Sequence, residues 1–245
     1  MTEADIDEIR SADTTVALSG AGVSTASGIP SFRGEDGIWN DWDPASFHRR
    51  RLDADPAGFW RDRIELRADM YGEIDPEPNA AHRALASLEA DGYLDAVLTQ
   101  NVDGLHGTAG SERVVELHGT HRRVRCDDCG DRRPADPVFE RAEGGALPPR
   151  CDCGGVYRPD VVLFGESLSD SALEAAQRLA RESDVFLALG SSLSVRPAAL
   201  LPRLAVQSAA TLAVVNFEQT PRDTDATYLL REDVTAVLPA VANRV

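Results

Sequence analysis

The chain has 245 residues, enough for one sizeable α/β domain or a large domain carrying a small one, and a formal charge of −16. That balance argues against nucleic-acid binding through the bulk surface, because phosphate contacts need net basic patches. All 25 basic residues are Arg and none is Lys. An acidic, lysine-free surface is expected of a protein working in high salt, where screening removes self-repulsion, although Arg-favouring codons of a GC-rich genome give the same composition. No apolar run reaches the ~20 residues of a membrane helix, and MTEADIDEIR is acidic rather than signal-like. The protein is therefore expected in the cytoplasm and off the membrane.

Residues 3–12 read as a short amphipathic helix with Ile6 and Ile9 as its apolar contacts. Val16, Ala17 and Leu18 then make a buried strand that breaks into Gly20-Ala21-Gly22, followed by Ser24, Thr25 and Ser27. A strand, a glycine turn and a helix start gather bare N–H groups where no Cβ obstructs a ligand, which suits a phosphate or pyrophosphate. The spacing G-x-G-x-x-T falls short of the full dinucleotide fingerprint, and alone it also fits an ordinary strand-to-helix turn. Gly28-Ile29-Pro30 breaks the helix after barely a turn. Phe32 and Arg33 go out on a loop hinged by Gly28 and Gly34, as in a flap over a bound cofactor.

From Glu35 to Pro78 the chain is rich in Arg, Asp and the aromatics Trp39, Trp42, Phe47, Phe59 and Trp60. It has helical stretches near 55–72 and no strand pattern, so it reads as a helical excursion whose aromatics are packing. Pro78 to His82 opens a further helix running to about Asp91, and His82 at its start reads as structural or solvated. The strand Ala96 to Thr99 delivers Gln100, Asn101 and Asp103 together at its carboxyl end, where ligands of open α/β sheets sit. A capped turn around 101–104 would place the same residues there. The strand Arg113 to Leu117 ends at His118, and imidazole is the side chain that titrates near neutrality, as a base acting on a hydroxyl needs.

Cys126-Asp127-Asp128-Cys129 and Cys151-Asp152-Cys153 enclose a loop-rich, proline-rich segment that cannot build much core of its own. Two close cysteine pairs in an intracellular chain point to a structural zinc ion held by four thiolates. C-x-C is the less usual half, and a mixed site with His121 in place of Cys153 is the alternative. Tyr157 to Glu166 reads as another core strand with a polar, glycine-containing end. A helix from Ser171 to Glu182 leads into the strand Asp184 to Leu189 and then Gly190-Ser191-Ser192; the last clear strand, Thr211 to Val215, ends at Asn216-Phe217-Glu218.

GAGVSTASGIPSFRG (20–34), TQNVDGLH (99–106), ELHGT (116–120), RPDVVLFGE (158–166) and GSSLSVRPA (190–198), in this order, resemble the signatures of the sirtuins, NAD-consuming protein lysine deacylases. The resemblance implies NAD as co-substrate, held by Gly20, Ala21, Gly22, Ser24, Thr25, Phe32, Arg33, Trp39, Gln100, Asn101, Asp103, His118, Gly190, Ser191, Ser192, Asn216, Glu218 and Val234. It implies His118 as catalytic base, Asn101 and Asp103 as the residues that fix the nicotinamide ribose, and Phe32 as a shield against nicotinamide return. Val161, Val162 and Phe164 would line an acyl-lysine tunnel, Gly165 and Glu166 would add the peptide as a strand, and Leu193 to Val195 would flank it. In the branch that removes acidic acyl groups a Tyr-x-x-Arg pair reads the acyl carboxylate. Trp60 and Arg63 stand at the matching positions here, with the Arg kept and the Tyr absent.

The implied reaction moves an acyl group from acyl-lysine to ADP-ribose and releases nicotinamide. A desuccinylase or demalonylase preference, a mono-ADP-ribosyltransferase on the same scaffold and a non-catalytic binding module are the alternatives. The expected fold is α/β: a Rossmann-like parallel sheet (1–34, 79–119 and 157–245) with a smaller lobe made of a helical insertion (35–78) and a zinc-binding module (120–156). The expected partner is an acyl-lysine protein or peptide, and the expected state is a monomer.

Overall fold

The computed structural model describes residues 3–32, 37–72 and 74–245. In chain order its elements are α1 (Glu3–Ser11), β1 (Thr15–Ser19), α2 (Arg49–Ala54), α3 (Pro56–Tyr71), α4 (Ala80–Ala90), β2 (Ala96–Thr99), α5 (Leu105–Ala109), β3 (Val114–Glu116), β4 (Gly119–Cys126), β5 (Arg132–Pro134), α6 (Ala135–Glu143), β6 (Tyr157–Val161), α7 (Asp170–Glu182), β7 (Val185–Leu189), α8 (Leu201–Gln207), β8 (Thr211–Val215), β9 (Tyr228–Leu230) and α9 (Val234–Ala242).

The apolar runs β1, β2 and β7 are buried along their whole length because helices cover both faces of their sheet. Ala17, Val97 and Leu187 pack against α1, α4 and α9, while Val16, Leu98 and Phe186 pack against α7 and α8. All six strands are parallel, in the order β3-β2-β1-β7-β8-β9. The order reverses at β1, whose two neighbours lead off in opposite directions, and a crevice opens there at the carboxyl ends. The outer strand β9 lies beyond the last strand that the sequence pattern marks. No helix among the described residues is long and apolar enough to cross a membrane.

A second, antiparallel sheet has the order β5-β4-β6. Contrary to the expected boundary, Tyr157 does not begin the return to the large sheet. β6 pairs with β4, Cys126 opposite Tyr157 and Arg125 opposite Arg158, so the small lobe extends through Val161. Nor is the 120–156 segment only a loop tied by cysteines. Val138, Phe139 and Ala142 of α6 pack with Val124, Tyr157 and Trp60 into a core of their own. Between β1 and α4 the described residues are helical or irregular, and α3 starts cleanly because Pro56 occupies its first turn and Asp55 accepts a hydrogen bond from Gly58 N.

Candidate active site

The turn after β1 folds directly against the end of β7. Gly20 N donates to Leu189 O at 2.9 Å and Gly22 N to Gly190 O at 2.8 Å. Gly190 has φ +55, and a Cβ there would meet Val23 N at 2.6 Å, so only glycine lets the two turns touch. The chain then makes two single 3-10 turns, Ala21–Val23 and Thr25–Ser27, before Gly28 turns it away. A cleft of about 830 Å³ lies above this point, walled by the sheet on one side and the small lobe on the other.

The cleft gathers residues from every motif. Gly20, Ala21, Gly22, Thr25, Phe32, Trp39, Gln100, Asn101, His118, Gly190, Ser191, Ser192, Asn216, Glu218 and Val234 line it, and so do Arg63, Val161, Val162, Phe164, Gly165, Glu166 and Val195. Gln100 Nε2 donates to Ser191 Oγ at 2.7 Å, tying the ends of β2 and β7 across the crevice. Phe32 stacks on Trp39 at 5.8 Å between ring centroids, and Trp39 meets Phe164 edge-on at 5.3 Å. Arg33 lies outside the described residues.

Ser24 and Asp103 stand beneath the floor rather than on it. Asn101 Nδ2 donates to Gly20 O and to Ser24 Oγ, each at 3.0 Å, and Ser24 Oγ donates to Asp103 Oδ2 at 2.8 Å. Burial pushes the Asp103 carboxyl up, and hydrogen bonds from Leu105 N and Ser24, with Arg122 nearby, partly offset that. Deeper still, Ser19 Oγ lies 2.8 Å from both Thr99 Oγ1 and His106 Nε2. The rings of His82 and His106 are 4.8 Å apart. Burial first, and the Arg83 charge second, hold His82 down at about 4. Burial and its neighbour His82 hold His106 at about 3, so both are neutral. His82 is thus structural, as its position implied, but it is fully buried rather than solvated.

Some expected contacts are not brought together. Trp60 is fully buried in the small-lobe core, where its Nε1 donates to Tyr157 O at 2.8 Å and its ring meets Phe139 edge-on. It does not line the cleft. Leu193, with φ +50, is buried in the core beneath α8 instead of flanking the cleft. Glu166 reaches the lining, but its carboxylate is turned back onto Arg158 and Leu163 N. Burial alone would raise Glu166, yet those donors outweigh it and hold the group at about 2.

Residues that the sequence reading did not place in the cleft also line it: Phe47, Leu66, Met70, His121, Phe217 and Glu232. Leu66 and Met70 carry only the ordinary helical spacing of packing residues. His121 accepts from an Arg63 Nη2 hydrogen at Nε2, and its Nδ1 lies 2.9 Å from Tyr71 Oη. Burial, with Arg63 and Arg67 adding to it, pushes His121 well below its ordinary range. Arg63, 7 % exposed, is itself lowered by burial to about 10 and keeps its charge.

That arrangement removes His121 from the metal question. The sulfurs of Cys126, Cys129, Cys151 and Cys153 all lie within 4.8 Å of one another. The Cys126–Cys153 and Cys129–Cys151 pairs are each 3.6 Å apart. A tetrahedral zinc with bonds of about 2.3 Å separates its sulfurs by about 3.8 Å, so the four thiolates fit that ion. A closed set of four leaves no position for substrate, which makes the site structural.

The family model described as the Sir2 family matches residues 20–197. An NAD-dependent protein deacetylase of Haloarcula marismortui is 71 % identical, covering 99 % of this chain and 94 % of its own length. One of Saccharolobus solfataricus is 44 % identical over 98 % of this chain and 95 % of its own length. A solved complex described as Sir2, p53 peptide and NAD+ superposes with a TM-score of 0.87 at 36 % identity, covering 99 % of this chain and 98 % of that one. The glycine turn, the Asn101 floor and the strand-end His118 sit in one cleft, and the match runs nearly the whole length of both chains: this protein belongs to the Sir2 family.

Proposed function

We propose that this chain is an NAD-dependent protein lysine deacylase, which moves the acyl group of an acyl-lysine to ADP-ribose and releases nicotinamide. One observation carries the reading: the β1 turn, Asn101 and His118 come from three different strand ends and line a single cleft. NAD supplies the sugar carbon that the acyl oxygen attacks. The touching turns at Gly22 and Gly190 leave a groove without side chains for its pyrophosphate, beside the hydroxyls of Ser191 and Ser192. Asn216 and Glu218, beyond β8, take the adenosine ribose.

Both amide protons of Asn101 are spent on Gly20 O and Ser24 Oγ, so its Oδ1 has the capacity left for a ligand. Asp103 braces that arrangement through Ser24. His118 takes the proton of a ribose hydroxyl, and holding these groups in place supplies much of the acceleration. The wall of Phe32, Trp39 and Phe164 keeps water from the sugar. The extended peptide lies along Val161 to Gly165. Cys126, Cys129, Cys151 and Cys153 would hold a zinc ion that keeps the small lobe in shape and supplies no chemistry to the reaction.

The test is incubation with NAD and a panel of acyl-lysine peptides, following O-acyl-ADP-ribose by mass spectrometry. His118→Ala should abolish deacylation and keep NAD binding; full activity in that variant refutes the assignment. An acceptor protein that gains ADP-ribose would point to the transferase alternative. A preference for acidic acyl groups has its own support: Arg63 lines the cleft with Nη2 on His121, and its buried Nε has no hydrogen-bond partner among the described residues. Arg63→Met should then slow desuccinylation more than deacetylation, and an equal effect on both removes that preference.

The same reading puts the protein in the cytoplasm of a halophile, as a monomer away from membranes and nucleic acid. The lysine-free charge of −16 supports it, as does the relative from Haloarcula marismortui. Its lobes divide as 1–34, 79–119 and 162–245 against 35–78 and 120–161.

A further inference from the structure

The loop leaving β6 carries Val161 to Glu166 into the cleft, and charged groups hold it from behind. Glu166 Oε2 accepts from Arg158 Nη2 at 2.8 Å and from Leu163 N at 2.9 Å. Arg158 is 1 % exposed, so this pair is a fixed anchor. Arg49, the first residue of α2, adds a second hold. Its backbone N donates to Phe164 O at 2.9 Å. Its Nη1 lies 2.6 Å from Asp127 Oδ2 and 3.4 Å from Glu166 Oε1, and its Nε donates to Asp53 at 2.8 Å. Asp127 stands between Cys126 and Cys129. One guanidinium therefore touches the cysteine knuckle, the helical insertion and the loop that enters the cleft.

The contacts separate two effects. Arg49 does not line the cleft, whose walls carry Asn101 and His118, so it has no direct purchase on the sugar chemistry. It does fix the Phe164 to Glu166 end of the segment that receives the peptide, through Phe164 O and the Glu166 carboxylate. A loop already ordered spares the peptide the entropy of ordering it, and that saving appears in substrate affinity. We propose that Arg49 is a positioning residue for the acyl-lysine peptide, carrying the geometry of the cysteine knuckle through Asp127 to the Glu166 end of the substrate loop. The inference rests on the reading of Val161 to Gly165 as the peptide's strand partner.

Hydrogen exchange and steady-state kinetics on the full-length, zinc-loaded variants Arg49→Ala and Asp127→Asn test it. The Leu163 and Glu166 amides should exchange about tenfold faster in both variants, with β1 and β7 unchanged. The KM for an acetyl-lysine peptide should rise about fivefold, while kcat and the KM for NAD stay within about twofold. Arg49→Lys, which keeps one charge, should recover part of the peptide KM. Should Arg49→Ala not fold, Asp127→Asn, which keeps the shape of the side chain, gives the same readout from the other end. Unchanged loop exchange in the folded variants overturns the proposal, as does a KM for NAD that rises with the KM for peptide. Loss of zinc from Arg49→Ala overturns it too, because the knuckle would then depend on Arg49 rather than the loop on the knuckle. Failure of the deacylase reading itself shows as no acyl transfer by the unaltered chain, and the exchange data still decide the tie.

Discussion

Lowering the pH from 7 to 5 should remove about 2 kcal/mol of stability for each imidazole locked neutral beneath the cleft. His82 and His106 are 0 % and 2 % exposed, and burial holds them at about 4 and about 3. An unfolded chain protonates its histidines near 6.5. At pH 5 the unfolded chain therefore carries nearly one more proton at each position than the native protein. The stabilisation is complete above 6.5 and is lost as the pH falls toward the native values of about 4 and about 3. His121, lowered by burial among Arg63 and Arg67, adds a third group of the same sign. Asp103 works in the opposite direction, because its carboxyl is raised in the native state and gains from falling pH. Glu166, held at about 2, begins to lose its part as the pH falls through the ordinary carboxylate range and goes on losing it toward the native value. Urea unfolding midpoints at pH 7, 6 and 5, at constant high salt, should give an uptake of about two protons from His82 and His106 at the acid end, with His121 adding to it and Asp103 opposing it. His106→Gln should flatten that slope by about one proton. A stability independent of pH across this range, or a slope unaltered in the variant, refutes the reasoning.

Gly190→Ala forces a Cβ to within 2.6 Å of Val23 N at φ +55. NAD binding by calorimetry should weaken at least about tenfold, at a stability cost of about 1–3 kcal/mol. Chelation, or Cys151→Ser, should release the bound zinc and lower the melting temperature, read by a zinc indicator and by scanning calorimetry; an unchanged melting temperature removes the structural role. Trp60→Ala should destabilise the fold by about 3–5 kcal/mol, measured by denaturant unfolding, and leave the ratio of succinyl to acetyl rates unaltered. A changed ratio would restore Trp60 to the acyl pocket.

The parts of the site built on period and punctuation were legible from residues alone. Apolar runs ending in Gly20, Gln100, His118, Gly190 and Asn216 mark strand ends, and strand ends of one parallel sheet share an edge by geometry. Two kinds of feature were not legible. Side-chain direction was one: Trp60 and Leu193 sit at motif positions yet point into cores, because α3 also covers α6 and the turn at Leu193 has φ +50. Pairings between distant residues were the other. Nothing local to Tyr157 says that its strand joins β4, and nothing local to His121 says that Arg63 and Tyr71 will occupy both of its nitrogens. The β9 strand escaped notice because it is short and leaves Leu229 45 % exposed.

The location of His118 is consistent with the proposed role of a base drawn from this point in the chain. β3 belongs to the large sheet and β4 to the small one, and only Leu117 and His118 separate them. Leu117 N donates to Thr99 O at 2.9 Å, fixing the near side to β2, while His118 O accepts from Val162 N at 2.9 Å, fixing the far side to the substrate loop. Gly119 completes the crossing with φ +75, and a Cβ there would meet Asp160 O at 2.1 Å, so the backbone passes too close to β6 for any other residue. The backbone at His118 is thus held by both lobes at once. The sheet that carries the glycine turns and the lobe that carries the loop after β6 cannot shift against each other without moving His118. On the proposed reading this side chain addresses a sugar on one wall and an acyl group on the other, and the joint that registers both walls is the place for it.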